Sequence, residues 1–194
     1  METQIKAFYK TPQGIKFVTV FGYSTKGVPS LEINGLGKLS KNIKEKIIYL
    51  SRIRKLQIPM RRFVICLDQN ELSEKDINHL KWLEFPLLLL YWYLCGLVPI
   101  RKLDNCVASG WINMRGDIYQ MSNSLIIPEQ ILKLYHPTQH GYINLISSEI
   151  SREFNVIESE KLLININHLK FFTDYKINPY IDKDSAIPTN FFIA

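Results

Sequence analysis

The chain has 194 residues, close to half of them apolar, and a formal net charge of +6. That is one domain's length with enough apolar material for a core, which excludes a disordered or low-complexity chain. Three well-separated cysteines (Cys66, Cys95, Cys106) exclude a disulfide framework, and the histidines show no metal-ligand spacing, since Pro137 breaks any helix joining His136 to His140.

In chain order, "METQIKAFYK" lacks the apolar stretch of a secretory signal. Cys66 and Cys95 lie in apolar runs, as buried thiols do in a reducing cytoplasm, so the expected location is cytoplasmic. "IKAFY" and "IKFVTVFGY" alternate around "TPQG", which predicts a β-hairpin. After the loop "STKGVPS", "LEI" is a short strand. Ser40 is the expected N-cap of a helix in which Leu39, Ile43, Ile47, Leu50 and Arg54 recur at helical steps, with Pro59 as its stop. "RRFVICLD" is a buried strand and "QNELSEKDINHLKW" a polar loop with a helical turn. "FPLLLLYWYLCGLVPI" carries no charge but is shorter than the roughly 20 residues that span a bilayer. It predicts a buried helix opened by Pro86 and closed by Gly96, with no membrane contact.

Further on, "NCVASGWINMRGDIYQM" predicts two strands joined at "MRGD". "PEQILKLYH" reads as a helix, "GYINLIS" as a strand, "SEISREFN" as a helix, "KLLINI" as a strand and "NHLKFF" as the start of a helix. The remainder has no period and reads as a tail or linker. The expected fold class is α/β (α+β) with a mixed sheet, as one domain over 1–172 followed by a tail over 173–194. Trp82, Trp92 and Trp111 are expected in the core.

The charge is concentrated. Residues 38–62 hold nine basic residues against the single acid Glu45, leaving +8 there and −2 elsewhere. Lys38, Lys41, Lys44, Arg52, Arg54, Lys55, Arg61 and Arg62 are therefore candidates for sequence-independent contact with nucleic-acid phosphates, against the plain alternative of a solvated helix face. At the front of this segment "EINGLGKLSKN" looks like a nucleotide loop. The P-loop spacing G-x-x-x-x-G-K-S/T puts its first glycine at Glu32 and its magnesium-binding hydroxyl at Leu39, so a strand-to-helix turn is expected instead. No pattern demands a cofactor or a metal.

"TPQGIKFVTV", "GVPSLEINGLGKLSKNIKEKI", "LQIPMRRFVICLDQNEL" and "LEFPLLLLYWYLCGLV", taken in that order, resemble the N-terminal region of the ComM/YifB magnesium-chelatase-like AAA+ family. The positions in register are Gly27, Pro29, Ile33, Gly35, Leu36, Glu45, Pro59, Arg62, Val64, Leu67, Leu72, Glu84, Pro86 and Gly96, and "GYINLISSEISREFN" follows more weakly. The family's proline and aspartate after Gly-Leu are Gly37 and Lys38 here. The resemblance implies a two-layer sandwich similar to the Lon proteolytic domain and to a ribosomal-protein domain. It further implies a non-catalytic accessory role in a ComM-like DNA-processing system of natural competence and branch migration, with an AAA+ ATPase as partner subunit, or a stand-alone remnant. A homo-oligomer is a further expected partner, because ComM proteins are hexamers. The alternative is a protein- or peptide-binding module without nucleic-acid contact. Enzyme activity is not expected. The stretch matching Lon's catalytic serine segment, "KDINHLKWLEFP", has no serine, which leaves only a Ser73–Lys102 pair and the acids Glu71, Glu74 and Asp76 as weak candidates.

Overall fold

The structure, a computed structural model, describes residues 1–68, 74–126, 143–166 and 169–174, with the backbone path alone at 74–78 and 174. The predicted hairpin forms as β1 (Glu2–Thr11) and β2 (Gly14–Thr25), antiparallel and in register from Glu2↔Tyr23 to Thr11↔Gly14. Pro12 and Gln13 make the turn. β3 (Ser30–Asn34) leads through a glycine turn into α1 (Leu39–Ile53), and β4 (Arg62–Leu67) returns between β3 and β2. A 3-10 segment, Glu74–Leu83, then enters α2 (Glu84–Leu94).

Strand period and burial agree on which sheet face is covered. Ile5, Ala7 and Tyr9 of β1, Val18 and Val20 of β2, Leu31 and Ile33 of β3, and Phe63, Ile65 and Leu67 of β4 are all buried, alternating with more exposed residues on β2 and β3. Ile43, Ile47 and Leu50 of α1 belong to the same core, and Phe63 meets Tyr91 of α2 edge-on at 5.2 Å. The Trp92 indole donates to Ser51 Oγ at 3.0 Å, and Ser51 Oγ donates to the Ile47 carbonyl at 2.8 Å. One side-chain relay thus ties the two helices together with its buried polar atoms matched. α2 is buried on every side, as its unbroken apolar run requires, and Gly96 closes it, its N–H bonded to the Tyr93 carbonyl and that of Leu97 to Trp92. Among the described residues no helix is long and apolar enough to cross a membrane.

β5 (Cys106–Ala108), β8 (Asn144–Ser147) and β9 (Asn155–Glu158) extend this sheet beyond β1, giving seven strands in the order β3-β4-β2-β1-β5-β8-β9. β1–β2 and β2–β4 are antiparallel and the other pairs parallel, so the sheet is mixed, as expected of this α/β (α+β) chain. A second, three-stranded sheet has the order β10-β7-β6, from Lys170–Asp174, Asp117–Met121 and Trp111–Ile112. Gln120 joins the two sheets, donating to the Ile146 carbonyl at 3.1 Å and accepting from Ser159 Oγ at 3.0 Å.

Several sequence expectations are corrected. The helix opens at Leu39 with Lys38 as N-cap, not at Ser40, because Gly37 with φ 54° turns the chain early enough to bury Leu36. It ends at Ile53, well before Pro59, because Lys55 adopts φ 54° and the Leu56 N–H reaches back to the Ser51 carbonyl. The first strand of "NCVASGWIN" splits at Ser109–Gly110, so β5 and β6 serve different sheets. "SEISREFN" forms no helix, and its last residue begins β9. "KLLINI" is not a strand: Ser159–Leu162 is a single helical turn, here α3. "NHLKFF" ends in β10 and not in a helix, its Phe171 and Phe172 lying in a strand that pairs with β7 and crosses the boundary placed at 172. The predicted helix "PEQILKLYH" and nearly all of the tail lie outside the described residues.

Candidate nucleic-acid interface

α1 carries most of the basic segment, but its cations do not share one face. Buried Ile43, Ile47, Leu50 and Ser51 fix the inner side. Helical spacing then places Lys38, Lys41, Asn42, Glu45, Tyr49 and Arg52 along the outward ridge, all of them exposed. Three of the remaining cations are engaged. Arg62 grips Glu32 with two bonds of 2.8 and 2.9 Å across β3 and β4, and the pair holds the Glu32 carboxyl below its ordinary range. Arg54 donates to the Arg115 carbonyl at 3.1 Å, which pins the 113–116 turn onto α1. Lys46 is drawn inward to Glu84, with Nζ 2.7 Å from Oε1 and 2.8 Å from the Ile112 carbonyl. Lys44 lies 3.7 Å from the exposed Glu45. Lys38, Lys41, Arg52, Lys55 and Arg61 have no carboxylate partner among the described residues.

The two ends of α1 differ in meaning. At its C-terminus Arg52 complements the negative end of the helix dipole, and a cation there is ordinary stabilisation. At its N-terminus the first turn contains no acid, Lys38 itself is the N-cap, and no side chain caps the helix. The Leu39 and Ser40 N–H groups bond back to the Leu36 and Gly37 carbonyls at 3.1 and 3.2 Å, and two exposed lysines, Lys38 and Lys41, lie at this end. Lysine at this end costs about 0.3–1 kcal/mol each, whereas an anion placed there is stabilised.

The residues of the family resemblance occupy structural positions. Gly35 has φ 98°, and a Cβ on it would stand 3.0 Å from Leu67 Cβ, so only glycine lets the β3–α1 turn lie on β4. Leu36 is buried, and Pro86 sits in the first turn of α2. Glu84 is buried, and besides binding Lys46 it accepts the Ile112 backbone N–H at 2.8 Å, so one carboxylate joins α1, α2 and β6. Gly27 and Pro29 lead into β3. Pro29 and Pro59 line a small cavity of about 350 Å³ between α1 and the starts of β3 and β4. A larger cleft of about 720 Å³ lies between α1, Lys81, Glu84 and Met114, with the Lys46–Glu84 pair in its wall.

Sequence reasoning missed the Lys46–Glu84 pair. Its only sequence signal was a lone glutamate heading an uncharged helix. It also missed Trp111, which is half-buried and not core: Trp111, Tyr119 and Phe172 stack across the small sheet at 4.2 and 5.1 Å, with Lys81 Nζ 5.5 Å from the Trp111 ring. Ser73 and Glu71 lie outside the described residues, as do the side chains of Glu74 and Asp76. Comparison with protein-family models and with curated proteins gives no match to this chain.

Proposed function

We propose that this chain is a non-catalytic accessory domain of a ComM-like DNA-processing system, acting beside a partner AAA+ ATPase and touching the DNA backbone through the N-terminal end of α1. The observation that carries the DNA contact is the composition of that end. Lys38 and Lys41 stand against the helix dipole, exposed and without carboxylate partners among the described residues, at a helix end with no acid in its first turn and no side-chain cap. An unpaired arrangement that costs the free protein stability fits a surface whose counter-charge arrives with a ligand. The order β1-β2-β3-α1-β4-α2, with the resembling residues at its turns and helix starts, supports the accessory-domain part of the proposal.

Phosphate binding of this kind ignores sequence and weakens steeply with salt. Anisotropy titration of a labelled duplex at several salt concentrations tests it. Reversing both charges (K38E/K41E) should flatten the dependence of log K on log salt by about 2, because each phosphate that a lysine neutralises contributes roughly 0.9 to that slope. Binding that is absent at low salt, or unchanged in the double variant, would rule the DNA contact out. Co-purification with an AAA+ ATPase tests the accessory role separately.

A further inference from the structure

The geometry points to a second binding surface, independent of the DNA contact: the free edge of β3 and the adjoining cavity form a groove for an extended segment of a partner protein in which a bulky apolar residue is flanked by carboxylates. β3 is the end strand of the large sheet, with β4 as its neighbour. The Ser30 N–H bonds the Arg61 carbonyl, so residues 30, 32 and 34 turn their backbone groups toward β4. The N–H and C=O groups of Leu31 and Ile33 therefore point away from the sheet, with no strand paired to them among the described residues. Such an edge accepts an added strand by main-chain hydrogen bonding.

Side chains beside that edge supply the selectivity. The cavity of about 350 Å³ opens between β3 and α1, with Leu31, Ile48, Leu56 and Phe63 among its walls. Met60 on its rim is 80% exposed. A large apolar side chain held in water at the cavity's rim is what a partner's apolar residue would cover. Arg52 and Arg61 complete the lining, which contains no acid, and neither arginine has a carboxylate partner among the described residues. Their unmatched positive charge selects carboxylates beside the apolar residue, and guanidinium groups bind carboxylates in paired geometry. Nucleic acid fits less well here, because the two aromatic rings in the lining, Phe63 and Tyr91, are buried with faces closed to base stacking.

The test is amide chemical-shift mapping on the full chain, with two blocked peptides, one alternating valine or leucine with glutamate and the other with lysine in place of glutamate. The glutamate peptide should shift the Leu31 and Ile33 amides and the residues of the cavity, and the lysine peptide should not. R52E/R61E should weaken the glutamate peptide at least tenfold with the spectrum otherwise intact, because both side chains are exposed. N-methylation of the peptide amides that face β3 should abolish binding. Equal binding of the two peptides, shifts confined to the α1 N-terminus, no shifts at high peptide concentration, or displacement of the peptide by DNA from the Leu31 and Ile33 amides would each overturn the proposal. The salt-dependent DNA titration does not involve these amides, so either proposal can fail alone.

Discussion

Removing the charge at Glu84 should destabilise the fold out of proportion to one side chain, because that carboxylate satisfies two groups from different elements. It takes the Lys46 ammonium at 2.7 Å and the Ile112 N–H at 2.8 Å, with the Lys46 and Glu84 side chains 20% and 10% exposed. Breaking a buried pair from one side costs about 3–5 kcal/mol, since the other charge is left behind. In Lys46→Met the charge left behind is Glu84, which keeps a little solvent and the Ile112 N–H, and this lowers the expectation to about 2–4 kcal/mol. Glu84→Gln preserves shape and one acceptor for Ile112, so about 1–2 kcal/mol is expected. In the double variant the uncompensated charge disappears, and its cost should fall short of the sum of the two single costs by about 1–3 kcal/mol. Urea unfolding of the four proteins measures this, provided the denaturant slope stays constant. A total stability of about 5–15 kcal/mol leaves room to see every term. Costs that add within error would show that Lys46 and Glu84 do not act as a pair, and the picture of one carboxylate joining α1, α2 and β6 would be abandoned.

Other expectations follow from single residues. Lys55→Gly should stabilise the protein by about 1 kcal/mol in thermal unfolding, because Lys55 holds a left-handed φ of 54° that glycine adopts without strain. Gly35→Ala should cost about 2 kcal/mol or more, from the positive φ and the 3.0 Å approach to Leu67, and would appear as a lowered urea midpoint. Burial pushes the thiols of Cys95 and Cys106 up to about 12, with Asp104 adding to the effect at Cys106. The unfolded chain releases these protons near the ordinary thiol value, so stability should be whole below about pH 9 and fall as pH rises toward 12, by at most about 1.4 kcal/mol per pH unit per thiol. Cys95→Ala and Cys106→Ala should each flatten that alkaline slope, and an unchanged slope would mean the thiols are not the groups responsible.

What the sequence showed and hid divides along physical lines. The hairpin, β3, β4 and α2 were legible because strand alternation, the turn residues of "TPQG" and an unbroken apolar run are local signals. The ends of α1 were not, because Gly37 and Lys55 set them through positive φ, and a lysine in that conformation has no mark in sequence. From Cys106 onward the elements are short and hold together by pairing between distant segments, as when Gln120 bridges to Ile146 and Ser159. A two-residue strand such as Trp111–Ile112 carries no period to read. The basic segment was visible as charge, but its partition was not. Arg62 and Lys46 found Glu32 and Glu84 only through the sheet and the helix pair.

That partition changes what the charge can mean. A count of nine cations suggests a broad basic face, yet the fold commits Arg62, Arg54 and Lys46 to its own architecture, sets Lys44 beside Glu45, and leaves Lys38 and Lys41 at one end of α1 with Arg52 and Lys55 at the other. A helix of this length spans about 20 Å, so the ends cannot serve one small ligand together. The N-terminal end presents two exposed lysines at the positive end of the helix dipole, which suits phosphate oxygens. The C-terminal end presents arginines beside an apolar cavity and a free strand edge, which suits a carboxylate-bearing peptide. On the proposed reading, one helix would link a DNA contact at one end to a protein contact at the other, an arrangement an accessory domain could use. If K38E/K41E flattens the salt dependence of DNA binding and leaves the peptide alone, while R52E/R61E weakens only the peptide, the helix is divided in this way, and a uniformly solvated basic face would show neither effect.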